Sequence, residues 1–119
     1  MRDLKFSKNW NSKLNNRIFT TIREYNQYND ESMVLGGNVK IMFKDEHIAD
    51  GVVIDKVDCN FGLVPRWLLQ ADTGYQLEEA RNVFSHFLKC DIVHLDQKRV
   101  FVFLIKVVNR VKFVPYENN

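Results

Sequence analysis

The segment from Lys13 to Arg23 carries the residue types best suited to hold a polar ligand. Arg17 and Arg23 flank Ile18-Phe19-Thr20-Thr21-Ile22, a β-branched and aromatic run that predicts a strand. Strand alternation places Ile18, Thr20 and Ile22 on one face and Phe19, Thr21 and Arg23 on the other. A hydroxyl and a guanidinium on one strand face can jointly bind a phosphate or a base edge. The same residues also fit an ordinary strand, with threonine chosen for its branch and Arg23 as a solvated end. Tyr25 and Tyr28 follow in a polar stretch and are the preferred stacking residues, each worth ~1–3 kcal/mol against an exposed base. Trp10 and Trp67 have apolar neighbours and are expected in the core.

Other chemistries find less support. His47, His86 and His94 are scattered without ligand spacing to cysteine or acid, so no metal is expected; His86, between Phe84 and Phe87, reads as a partly buried structural imidazole. Gly36-Gly37 lacks the phosphate-loop pattern. No serine lies in a nucleophile elbow, and neither Cys59 nor Cys90 has a base nearby in sequence. Two such cysteines make no disulfide framework and suit half-buried reduced thiols. No cofactor is implied. Seventeen basic and 15 acidic residues give a net charge of only +2, so any nucleic-acid contact must use a local patch. No run approaches the ~18 apolar residues of a membrane span, and the first residues lack a signal-peptide core. A cytoplasmic location is expected by elimination.

The elements that must position these residues follow from pattern and punctuation. Leu4-Lys5-Phe6 begins a short strand, and Ser7 to Leu14 reads as a short helix ended by Asn15-Asn16. Residues 24–38 carry few core positions and read as a long polar loop. Val39–Phe43 and Ile48–Val57 form a hairpin around Lys44-Asp45-Glu46, with Gly51 a candidate bulge. Pro65 opens a helix that Asp72-Thr73-Gly74 breaks. A second helix from Gln76 to Leu88 places Leu77, Ala80, Phe84, Phe87 and Leu88 in one stripe, with Glu78 and Glu79 in its first turn. Val100–Val108 is the best central strand, and Val111–Val114 a last edge strand. Strands outnumber helices, and the helices cluster rather than alternate. The pattern predicts one α+β domain over 1–119, a small, mostly antiparallel β-barrel with a few covering helices.

The run Phe19-Thr20-Thr21-Ile22-Arg23, preceded by Phe6, Trp10 and Lys13-Leu14, resembles the N-terminal signature of ASCH domains in the PUA-like superfamily. Gly36-Gly37-Asn38-Val39, Leu63-Val64-Pro65 and Asp72-Thr73-Gly74-Tyr75 followed by Glu78-Glu79-Ala80 resemble later blocks of that family. The resemblance implies a PUA-like barrel with an RNA-binding cleft beside the Thr-Ile-Arg strand. One enzymatic branch of the family is an amidohydrolase that deacylates N4-acetylcytidine with a lysine, a threonine and a glutamate. Its threonine matches Thr21 and its neighbouring arginine Arg23, but its lysine falls on Ile18 and its glutamate near Thr73, beside Asp72. Arginine stays protonated, so Arg17 cannot replace that lysine as a base. Lys13 can serve only if it reaches the cleft by another route. The expectation is therefore an RNA-binding module using Arg17, Thr21, Arg23, Tyr25 and Tyr28. The alternatives are a modified-nucleoside hydrolase using Thr21, Lys13 and Asp72, and a small protein-interaction domain of the phage type.

Overall fold

In a computed structural model, which describes residues 1–115, the chain forms five strands and three α-helices. The strands are β1 (Arg2–Phe6), β2 (Ile18–Glu24), β3 (Asn38–Phe43), β4 (Glu46–Asn60) and β5 (Arg99–Arg110). The helices are α1 (Gln27–Ser32), α2 (Arg66–Thr73) and α3 (Leu77–Phe87), with 3-10 turns at Trp10–Asn15, Phe61–Leu63 and Ile92–Gln97. One sheet takes the order β1-β3-β4-β5-β2. Only the β1–β3 pair is parallel. The long β4 pairs with β3 through its first half and with β5 along most of its length, which curls the sheet.

Local chemistry explains the curl. Lys44 and Asp45 both take left-handed φ, 47° and 64°, as a two-residue hairpin of matching twist requires. The β4–β5 register slips between Asp50 and Gly51, where the expected bulge lies. A Cβ on Gly51 would stand 2.9 Å from Ile105 Cγ2 and 3.2 Å from the Lys106 carbonyl, so this close approach needs glycine. Leu4, Phe19, Val39, Ile41, Phe103 and Ile105 fill the inside of the curl. A second cluster forms where α2 and α3 lay Leu69, Ala80, Phe84 and Leu88 over Ile22 and Val100. At ~1.5–3 kcal/mol per large buried side chain, the two clusters supply most of the drive to fold.

The sheet does not close. The edge strands β1 and β2 share no ladder, so the architecture is an α+β half-barrel. Side chains span the gap: the Arg23 guanidinium donates from Nη2 to the Lys5 carbonyl at 3.0 Å, and Phe6 meets Phe19 edge to face at 5.8 Å.

Several expectations need correction. Residues 27–32 are helical rather than loop, because the Asn26 side chain accepts from Asn29 N–H at 2.8 Å and caps the helix. The segment before β2 is no regular helix: Asn11 and Ser12 have φ of 55° and 54°, which kinks the Trp10–Asn15 turns. Val111–Val114 forms no strand, since the chain bends after β5: Val111 N–H and Lys112 N–H both donate to the Ile48 carbonyl, at 2.9 and 3.1 Å. Trp67 is 68% exposed and His86 is exposed, because both project from the solvent sides of their helices. Trp10 is half-buried with its ring edge to face with Phe84, as expected, and Cys59 and Cys90 are free and half-buried. No helix among the described residues is long and apolar enough to cross a membrane.

Candidate functional site

The kink at Asn11 and Ser12 decides where Lys13 goes. The Asn9 side chain accepts from Leu14 N–H at 2.9 Å, and Asn11 Nδ2 donates to the Ala71 carbonyl at 2.9 Å, so the turn is clamped against α2. Lys13 is thereby turned inward and buried. Its ammonium donates to Asp72 Oδ1 and to the Thr20 carbonyl, each at 2.9 Å. The Thr20 hydroxyl donates to the same Asp72 oxygen at 2.8 Å. Burial pushes the Lys13 pKa down, and the neighbouring Asp72 carboxylate only partly offsets this. The other Asp72 oxygen, Oδ2, is buried with no hydrogen-bond partner among the described residues. An orphaned buried carboxylate oxygen is costly.

On β2, Thr21 and Arg23 share a face as the alternation predicts. Thr21 is buried, and its hydroxyl oxygen accepts from Arg23 Nε at 3.0 Å. The Arg23 guanidinium lies 4.7 Å from the centre of the Phe6 ring. Burial, and then repulsion from Arg2, lower its pKa to about 10, so it remains a cation at neutral pH.

Lys13, Thr21, Arg23 and Asp72 line one pocket of about 100 Å³ at the opening between β1 and β2. Phe6, Trp10, Ile22 and Phe87 form its apolar walls, and Lys5, Ser7 and Lys8 complete its rim. This is the scale of a single ring, since a dry cavity of about 150 Å³ holds benzene.

The predicted residues thus divide. Thr21, Arg23, Lys13 and Asp72 come together. Arg17 is exposed outside the pocket, where its carbonyl accepts from Val107 N–H at 2.7 Å. Ile18 is exposed and lines nothing here, so the place of the family's lysine is outside the pocket in this chain. Tyr25 is 41% exposed, with the Arg99 guanidinium 4.1 Å from its ring centre and Phe101 beside it at 5.0 Å, and it lies outside the pocket. Tyr28 is 62% exposed beneath Arg2, in a neighbouring cleft. Sequence reasoning missed Phe87, whose place in the α3 stripe suggested core; it sits at the end of the helix and reaches the pocket mouth instead. It also missed Thr20, placed on the opposite face, whose hydroxyl nevertheless reaches Asp72 from α2.

The half-open, helix-capped barrel has an ASCH-like fold. Two solved structures share this fold. A DUF984 protein of Enterococcus faecalis matches with a TM-score of 0.69 and 14% identity, covering 92% of this chain and 77% of its own. An ASCH domain of Lactobacillus crispatus matches with a TM-score of 0.58 and 15% identity, covering 84% of this chain and 70% of its own. No protein-family model and no curated protein matches the sequence.

Proposed function

We propose that this domain binds single-stranded nucleic acid, RNA in the first instance, by taking one unpaired base into the pocket between β1 and β2. One observation carries the reading: Lys13, Arg23 and Asp72 line one open pocket walled by Phe6, Trp10 and Phe87. A splayed base offers a flat face to Phe6, Trp10 and Phe87. Lys13 and Arg23 supply donors for the carbonyl groups of the same ring. The pocket's small size excludes duplex, so sequence-specific reading of a double helix is not part of this proposal.

Titration of labelled single-stranded RNA against wild type, Arg23→Ala and Arg17→Ala at two salt concentrations tests it. Arg23→Ala is expected to weaken binding by about tenfold or more, as loss of a charged hydrogen bond does, with Arg17→Ala close to wild type. Equal binding by wild type and Arg23→Ala at both salts would remove the pocket from the interface.

A second reading is favoured by the burial of Lys13 beside Asp72 and the threonines. A lysine reaches the site by the kinked turn, despite isoleucine at position 18, so hydrolysis of an acylated nucleoside such as N4-acetylcytidine is the competing activity. Against it, the Lys13 Nζ already donates to Asp72 Oδ1 and to the Thr20 carbonyl, each at 2.9 Å, so a base role requires these contacts to break. Release of cytidine above a Thr21→Ala control would establish the hydrolase; none would leave binding alone.

A further inference from the structure

The small positive excess of the chain is unevenly placed. A second, open cleft of about 540 Å³ adjoins the pocket and shares Lys5 and Arg23 with it. Met1, Arg2, Asp3 and Tyr28 complete its lining, so three basic side chains face one carboxylate. None of these basic groups makes an ion pair among the described residues, whereas Lys56, Arg81, Lys98 and Arg99 all do.

Arg2 is held in position there. Its Nη1 donates to Asn29 Oδ1 at 2.7 Å and to Ser32 Oγ at 3.0 Å, and its guanidinium lies 4.4 Å from the centre of the Tyr28 ring. All three partners belong to α1, the helix that Asn26 caps. The Arg2 Nε is buried and has no hydrogen-bond partner among the described residues. Across the cleft, Arg23 spends Nε on Thr21 and Nη2 on the Lys5 carbonyl, and its charge repels that of Arg2. Two guanidiniums fixed on one cleft, with Asp3 the one carboxylate lining it against three basic side chains, repel each other, and an anion between them relieves the repulsion.

We propose that this second cleft is an anion subsite, in which Arg2 and Arg23 hold a phosphate group while Tyr28 and α1 keep Arg2 in place. On the base-pocket reading, on which this assignment of the carrier rests, the phosphate is the one adjoining the inserted base. The shared Lys5 and Arg23 make the two cavities one continuous track for a short single strand. The same chemistry would also take free phosphate.

Two titrations distinguish these sources and separate the subsite from the pocket. Inorganic phosphate is added to wild-type protein at constant ionic strength while the arginine Nε–Hε resonances are followed by NMR. Saturable shifts of Arg2 and Arg23 support the subsite; Arg2 unmoved overturns it. A tetranucleotide and a free nucleoside are then bound to wild type and to Arg2→Gln at two salt concentrations. Arg2→Gln is expected to weaken the tetranucleotide about tenfold, with a salt slope shallower by about 0.7, and to leave nucleoside binding unchanged. Equal tetranucleotide affinity and slope for both proteins would overturn a polynucleotide phosphate at this cleft. Shifts with phosphate in a protein that binds neither nucleoside nor RNA would support the subsite for free phosphate and refute the base pocket.

Discussion

Replacing Lys13 by methionine strikes the account at its base. The Lys13 and Asp72 side chains are 5% and 1% exposed and 2.9 Å apart. Without the ammonium, Asp72 keeps one donor, the Thr20 hydroxyl, for a carboxylate that has no access to water. Breaking a buried pair in this way costs about 3–5 kcal/mol, because the remaining charge is uncompensated. A domain of this size has on the order of 5–15 kcal/mol in all, so the loss should lower the melting temperature by roughly 10–20 °C. Lys13→Met/Asp72→Leu removes both charges and should recover to within about 1–2 kcal/mol of wild type. Urea unfolding followed by tryptophan fluorescence measures all three proteins on one scale. A cost below about 1 kcal/mol for Lys13→Met would refute the reasoning, since it would mean that water reaches the pair and the pocket floor is not dry.

Three further outcomes follow from other parts of the fold. Asn26→Ala removes the α1 cap and should cost about 1 kcal/mol, read by the same unfolding assay; no change would mean that α1 does not depend on its cap. Gly51→Ala forces a Cβ against Ile105 and the Lys106 carbonyl, so a loss of about 1–3 kcal/mol is expected, and a neutral result would deny the tight approach of β4 to β5. The third concerns pH. Burial sets the folded Lys13 pKa below its ordinary 10.5, so in the alkaline window ending there the unfolded chain binds a proton that the folded chain has lost. The stability contribution of Lys13 therefore rises with pH across that window, and the margin of wild type over Lys13→Met should widen. A margin that narrows contradicts the direction of the shift.

The site was partly legible because part of it lies on regular structure. Two-residue alternation along β2 is enough to place Thr21 beside Arg23, and a Gln76–Leu88 periodicity is enough to find α3. Lys13 was not legible, since its inward turn depends on left-handed backbone at Asn11 and Ser12, which no hydrophobic period encodes. The helix α1 escaped notice because six residues carry too little apolar signal, and its existence depends on a single side-chain cap. Val111–Val114 has the composition of a strand, yet the chain bends after β5, and composition does not show that bend. Trp67 and Phe87 show the complementary limit: apolarity predicts burial only on average, and their places on α2 and α3 leave both exposed.

The central claim is that a base, and not the sugar-phosphate chain alone, is taken into the pocket. Affinity for a short single-stranded RNA should be compared with that for the same strand carrying one abasic position, each placement tried in turn at fixed salt. The account predicts one placement that weakens binding by about 5- to 100-fold, the value of one stacked base. Equal affinity for the intact strand and for every abasic strand would contradict it.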